Sequence, residues 1–437
     1  MSRERLLFVE SNTTGTGMLA LGTAARLGYE PVFLTADPSR YAGLERTGAR
    51  VVRCDTGSAG SLREAATGPI SGPISGPIAG VTTTSEFYLA ATAALAQELG
   101  LPGNPADVVR TCRDKAAVRL RLDRAGIPQP RWRCARSVDE VPEAVAAVGL
   151  PCVVKPVDDS GSANVRVCAS VREAADQARV VLAVRRNVRG QPTAGTVLIE
   201  EYVAGPEYSV EMFSHRGEAR CVGVTRKTVG APPYCVELGH LHPAGLTPAE
   251  ESALVETVRA VLGALGVMTG PTHTEVKVGA IIEVNCRLAG GMIPELVRLA
   301  RGVDLLEQQL RCAVGEPPDL DARAGGYAGI HFITAGRAGT LRGVAGLERV
   351  ARHPGIAQVT VTARRGAEVR PPRTAYDRLG FVIAAGDSPS AVTSALSSAA
   401  RTVVPLLTAT EPTTEPAAEP AAEPTSEPTS EPTTSIA

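Results

Sequence analysis

The run THTEVKVGAIIEVNCRLAGG, Thr272–Gly291, decides how the rest of the chain is read. Apolar and polar residues alternate through it, the period of two that belongs to β-strands. In the first arm Val276 and Val278 face one way, and His273, Glu275 and Lys277 the other. In the second arm Ile282, Val284 and Cys286 form an apolar face, while Glu283, Asn285 and Arg287 share the polar one. A three-residue turn, Val278 to Ala280, sets Glu275 directly opposite Glu283; a two-residue turn would send them to opposite faces. Two carboxylates and an amide oxygen on one face make a hard-oxygen site for Mg²⁺, with Mn²⁺ an acceptable substitute. Arg287, next on that face, can stabilise charge on a transferring phosphoryl group. Taken alone, E-x₇-E-x-N-x-R would mean a solvated face with cross-strand ion pairs. The residues upstream argue otherwise.

In PCVVKPVDDSGSANVRV (Pro151–Val167), Lys155 ends an apolar strand, where a lone ammonium is costly unless it meets an anion. Ser160, Gly161 and Ser162 follow, small residues whose backbone amides can close over phosphates. In LIEEYVAGPEYSVEMF (Leu198–Phe213), Glu200 and Glu201 precede Gly205 and Glu207. Such carboxylates can accept from an adenine amine and from sugar hydroxyls. CRDKAAVRLRL (Cys112–Leu122) puts Lys115 on a helix expected over about 106–125. The set points to a nucleoside triphosphate with its metal.

Toward the amino terminus, strands at Leu6–Glu10, Pro31–Thr35, Val51-Val52 and Gly80–Thr84 alternate with helices, including Phe87–Leu99. That order predicts a parallel, doubly wound sheet. Gly15-Thr16-Gly17-Met18-Leu19-Ala20 matches G-x-G-x-x-A, and Asp37 stands at the ribose-binding distance of a dinucleotide fold. The preferred reading is a Gly-rich strand-to-helix turn, because the rest of the chain points to a different nucleotide. GPISGPISGPIAG (Gly68–Gly80) reads as a surface loop enlarged by repeat expansion. Past the middle, strands are expected at Ala328–Ile333, Val359–Ala363 and Gly380–Ala385, with a helix near 388–402.

Composition bounds the rest. A chain of 437 residues suggests two to four domains. Its 45 Lys+Arg against 46 Asp+Glu average two unlike regions. Glu-Pro recurs six times from Glu411 to Pro432 with no Lys or Arg, so removing those six acids from 46 leaves 40 and a body of +5. Proline every fourth residue forbids helix there. A balanced charge with 3% aromatics excludes a nucleic-acid binder. No apolar run nears the roughly 18 residues of a membrane span, and Leu6–Val9 is too short for a secretory signal. Nine cysteines without a C-x-x-C pair indicate reduced thiols in a cytoplasmic protein, with no zinc site; Cys286 reads as core.

The order Lys115, Lys155 with its Ser-Gly-Ser loop, Glu200-Glu201-Tyr202-Val203, Glu207, Glu275 and Glu283-x-Asn285-x-Arg287 resembles the ATP-grasp superfamily. Within it, TRKTVGAPPYCVELGHLHPA (Thr225–Ala244) and RLAGGMIPELV (Arg287–Val297) are similar to the L-amino-acid ligases, which are carboxylate–amine ligases. GTLRGVAGLERV (Gly339–Val350) and GFVIAAGDSPSAV (Gly380–Val392) resemble that group's closing domain. The resemblance implies an α/β chain, α+β in its ATP-binding part. A doubly wound pre-ATP-grasp domain would span 1–104, and an ATP-grasp domain 105–320 with its lid at about 128–198. A carboxy-terminal α+β domain would span 321–405, and a disordered tail 406–437.

It also implies roles. Lys115 and Lys155, with Ser160, Gly161 and Ser162, would touch ATP phosphates. Glu200, Glu201 and Val203 would hold adenine, and Glu207 ribose. Glu275, Glu283 and Asn285 would bind Mg²⁺, and Arg287, Lys155 and Asn285 would serve catalysis. Glu237, His273, Gly290 and Gly291 are the candidates for sensing substrate. The implied activity is ATP-dependent joining of a carboxylate to an amine, both amino acids, by a chain that can form a homodimer and meets neither nucleic acid nor membrane. Two alternatives stand beside it: the same fold with a bicarbonate or thiol acceptor, and a non-catalytic nucleotide-binding module.

Overall fold

The computed structural model describes residues 3–13, 16–68 and 76–408. The glycine-loop residue Gly15, most of the Gly68–Gly80 repeat and all of the Glu-Pro segment lie outside them.

The first sheet is parallel, in the order β3-β2-β1-β4, from β1 (Arg5–Val9), β2 (Glu30–Thr35), β3 (Arg50–Arg53) and β4 (Ile78–Thr82). Helices α1 (Thr16–Arg26), α2 (Ala59–Thr67) and α3 (Leu89–Glu98) complete the doubly wound unit. Leu6 and Phe8 enter one core and Leu7 and Val9 another, so β1 is buried on both faces, as its unbroken apolar run requires. Asp37 does not wait for a ribose: its carboxylate accepts from the Ser39 amide at 3.1 Å and the Ser39 hydroxyl at 2.6 Å, capping a short turn. Gly17 is there for close packing, since a Cβ would lie 2.1 Å from the Asn12 carbonyl oxygen.

The helix expected over 106–125 is two helices, α4 (Ala106–Arg113) and α5 (Lys115–Ala125). Asp114 takes extended backbone angles and its carboxylate accepts from the Ala116 and Ala117 amides, starting a new helix at Lys115. A small antiparallel sheet follows, ordered β5-β8-β6-β7, from β5 (Trp132–Ala135), β6 (Cys152–Pro156), β7 (Arg166–Cys168) and β8 (Val197–Glu201). Helices α6 (Val141–Val148) and α7 (Val171–Ala183) cover its apolar side.

The rest is organised by one antiparallel sheet. Its strands include β9 (Glu207–His215), β10 (Glu218–Val229), β11 (Glu237–His242), β12 (Gly270–Lys277), β13 (Ala280–Asn285) and β14 (Tyr327–Ile333). Helix α8 (Pro248–Leu265) backs it, started by a Thr247–Glu250 capping box and ended at left-handed Gly266. Helices α9 (Ile293–Arg301) and α10 (Leu305–Ala313) lead to β15 (Gly339–Ala345), α11 (Leu347–Ala351), β16 (Ile356–Val361), β17 (Glu368–Val369), β18 (Gly380–Gly386), α12 (Pro389–Thr402) and β19 (Val404–Thr408). The sheet runs β13-β12-β9-β10-β11-β14-β18-β16, so strands on both sides of residue 320 share one hydrogen-bonded surface. A three-stranded sheet, β17-β15-β19, completes the chain and carries regular pairing to Thr408, past residue 405.

Candidate active site

The β12–β13 hairpin reaches the expected pairing by an unexpected route. Its turn is only two residues, Val278 and Gly279, both left-handed at φ 47° and 79°, and Lys277 pairs with Ala280. That turn alone would misplace the acids. A bulge between Glu275 and Val276 restores the register, so that Val276 pairs with Ile281 while Glu275 pairs with Glu283. Two expectations are corrected. Ile281, not Ile282, enters the core with Val276 and Val284, and Ile282 lines the cleft beside Glu283. Val278 belongs to no apolar face but stands exposed in the turn. Cys286 packs against the core as expected.

Arg119 supports the bulge, and the sequence reading missed it. Its buried guanidinium donates to the carbonyl oxygens of Ile281 at 2.8 Å and Ile282 at 2.7 Å. Its Nε meets Glu200 Oε1 at 2.5 Å, and the other Glu200 oxygen lies 2.5 Å from Lys155 Nζ. Burial would raise the Glu200 carboxyl, but Arg119 and Lys155 outweigh it and bring it down to about 2. Glu200 therefore anchors Lys155 through its carboxylate. Glu201 places its carboxylate 3.0 Å from Arg131 Nε instead. Lys115, first residue of α5, donates from Nζ to the Asp159 carbonyl at 2.9 Å and lies 3.3 Å from Glu283. Beside it the Ser160–Ser162 loop rests under the C-terminal segment: Ala375 donates its amide to the Gly161 carbonyl at 3.3 Å.

Lys227, also missed, sits among three carboxylates. Its Nζ is 2.7 Å from Glu207, 2.6 Å from Glu237 and 2.5 Å from Glu275. These acids lie close together, and the Lys227 ammonium sits among them as a counter-ion. His273 donates from Nδ1 to Glu211 at 2.9 Å, and its Nε2 lies 3.4 Å from Glu275. Burial would discharge this imidazole, yet Glu211 and Glu275 hold its pKa up to about 9. His273 thus faces the cleft with both nitrogens engaged. His240 is the converse: burial pushes it down to about 4, and neither ring nitrogen has a hydrogen-bond partner among the described residues. Gly291 is required beside it, because a Cβ would come within 2.5 Å of His240 Nε2.

Arg287 donates from Nε to Glu86, and Arg113 Nη1 meets the same carboxylate at 2.5 Å. Burial opposes the ionised form of Glu86, but Arg287 and Arg113 prevail and hold it at about 2. Glu86 follows β4, at the carboxyl edge of the first sheet, where open α/β sheets carry their sites. That position was the available signal for it. Every residue expected at the site, from Lys115 to Gly291, lines one cleft, and Val203, Glu207 and Asn285 are among them.

Residues 148–295 match the family model for an ATP-grasp domain, and residues 331–406 that for the L-amino acid ligase C-terminal domain 2. The chain is 34% identical over 406 residues to the uncharacterized protein y4rH of Sinorhizobium fredii, covering 92% of this chain and 82% of that one. The chain is an ATP-grasp ligase of the C–N-bond-forming L-amino-acid ligase kind. The ligase is also 29% identical over 259 residues to carnosine synthase 1 of Mus musculus, covering 55% of this chain but only 31% of that protein. Among solved structures, the fold matches the L-amino acid ligase of Bacillus licheniformis with TM-score 0.76 and 23% identity, over 94% of this chain and 100% of that chain. No helix among the ligase's described residues is long and apolar enough to cross a membrane.

The donor set fits Mg²⁺. Glu275 and Glu283 are directly paired across the hairpin, and Asn285 follows on β13. All three offer oxygen, and lysines now balance both acids. The same cleft could hold a nucleoside triphosphate, since two lysines, a loop of small residues and the apolar Ile282 all line it.

Proposed function

We propose that this ligase joins a carboxylate to an amine, both from amino acids or close relatives, giving a dipeptide-type amide with ADP and phosphate. ATP with Mg²⁺ would supply the phosphoryl group that turns a poor electrophile into an acyl phosphate. The observation that carries the reading is the position of Arg287. It lines both the nucleotide cleft and a second cavity beside it, the place where phosphate and acyl group must meet.

Each residue has a part. Lys115, at the positive end of α5, and Lys155, oriented by Glu200, receive phosphate charge. Glu275, Glu283 and Asn285 would hold the metal, and Glu207 with the backbone at Glu201–Val203 the nucleoside. Arg287, fixed by Glu86, steadies negative charge on the acyl phosphate and on the oxygen that develops when the amine attacks. In that step the nitrogen forms a bond to the acyl carbon, the carbon–oxygen bond to phosphate breaks, and the amine's proton goes to the departing phosphate. Glu237 and uncharged His240 line the same cleft near Gly290 and Gly291, suited to the substrate's polar groups. The Ser160–Ser162 loop, covered by the 374–378 segment, excludes water that would hydrolyse the intermediate.

The test is incubation of the pure chain with ATP, Mg²⁺ and paired amino acids, scoring ADP, phosphate and new amides by mass. ADP and phosphate that depend on both substrates support the reading. AMP with pyrophosphate, or no turnover with any pair, overturns it.

A further inference from the structure

A second cavity, about 670 Å³, adjoins the nucleotide cleft and shares Ser160, Arg287 and Gly290 with it. Its remaining walls come from the first sheet's loops, the segment between α7 and β8, Leu288 and Ala289, Gln309 of α10, and Tyr376. Arginines at 40, 189 and 287 line it against a single carboxylate, Glu86. Glu86 is fully engaged by Arg287 and Arg113. Among the described residues Arg40 has an exposed pairing with Asp37 at 3.5 Å, worth little in water. Arg189 donates from Nη2 to the Ser11 carbonyl at 3.1 Å and meets no carboxylate among the described residues. The cavity therefore carries unspent positive charge next to the arginine placed at the reacting centre.

Chemistry supplies the matching anion. An amino acid that attacks through its amine keeps its own carboxylate, which loses water as the site closes and needs a cation in exchange. An amine substrate without that carboxylate would need no such partner. Arg189 is held at the cavity wall by its surroundings. It lies in the turn Asn187–Gln191, tied to the first sheet's loops by its own bond to Ser11 and by Gln191 Nε2 donating to the Phe87 carbonyl at 3.1 Å.

We propose that this cavity holds the amine substrate, and that Arg189, assisted by Arg40, reads the free carboxylate of an amino acid there. This rests on the ligase reading above, with Arg287 marking where the acyl group sits. Neutral amines and amino-acid carboxamides are then poor acceptors.

The experiment uses the full chain. ATP-dependent hydroxamate formation from each amino acid and hydroxylamine first identifies the activated acid, with no amino-acid acceptor needed. The twenty amino acids and their carboxamides are then compared as amines, for the wild type and for Arg189→Gln. The expected result is a wild type that prefers free acids. In the variant the KM for the acid rises about tenfold or more, the scale of one charge-assisted contact, while the KM for the carboxamide moves less than about twofold. A wild type that accepts carboxamides equally, or takes no amino acid as amine while still forming hydroxamate, overturns the subsite. So does equal loss on acid and carboxamide in the variant. Absence of hydroxamate in the wild type overturns the ligase reading itself.

Discussion

At the scale of single residues, the site is made of charges that hold one another before any substrate arrives. Glu86 holds Arg287, Glu200 holds Lys155, and Lys227 holds Glu207, Glu237 and Glu275. The arrangement separates residues that touch substrate from those that aim them. On the proposed role of Arg287 at the acyl phosphate, Arg287→Ala should lower turnover by about 10²–10³-fold while ATP binding stays within several-fold. Steady-state kinetics with calorimetric titration of ATP checks this, and collapse of ATP binding would move Arg287 into the nucleotide site. Glu200→Gln should act the other way, through Lys155. The weakened anchor should raise the ATP KM by about tenfold or more, with a smaller change in kcat.

At the scale of the element, the β12–β13 hairpin shows how backbone detail decides which face a side chain takes. A two-residue turn with both residues left-handed suits Asn-Gly, and here Val278 occupies the first position at φ 47°. A β-branched residue is strained there, and Val278 is 69% exposed, so no core packing compensates. Val278→Asn should stabilise the chain by about 1 kcal/mol, read as a higher denaturant midpoint with an unchanged slope. The bulge next to it was not legible in the sequence. Alternation in AIIEVN puts Ile282 in the core with Val284. It is the contacts of the folded chain, Arg119 bonding both carbonyls and the Ile281 amide donating to the Pro128 carbonyl at 3.1 Å, that accompany Ile281 in the core instead. The break at Asp114 was legible in principle, as an Asp before a helical run is a normal cap. The apolar period continuing across it concealed the boundary.

At the scale of the whole molecule, three parts of the chain converge on the cleft. Glu86 comes from the first sheet's edge and reaches it through Arg287, the Ser160–Ser162 loop comes from the small sheet, and Arg378 from the C-terminal part donates to Glu237 Oε2 at 2.9 Å. Buried acids held in their charged form across such junctions should make the assembly acid-sensitive. The Glu86 carboxyl lies at about 2 in the folded chain against a usual 4.5. A depressed value means its contribution is present above about 4.5 and lost as the pH falls through about 2. Glu86→Gln should therefore flatten the decline of Tm over that window. At neutral pH it should cost about 3–5 kcal/mol, because Arg287 and Arg113 lose their buried partner. Thermal melts of both chains from pH 7 to pH 2 check the sign and the window.

The family, the doubly wound first sheet and the set of residues that line one cleft were legible in the sequence, because each depends on local signals. Those signals are strand periodicity, a lysine ending an apolar strand, and small residues where amides must crowd a phosphate. What joins these pieces depends on contacts between residues far apart in the chain. Glu86 reaches Arg287 across 201 positions, and Arg119 reaches Ile282 across 163. No spacing rule encodes such pairs, because each partner looks like an ordinary surface charge until folding removes the water around it. Burial turns those charges into obligate partners, and so the tertiary structure alone decided which arginine is held, which isoleucine lines the cleft, and which arginines line the cavity beside it.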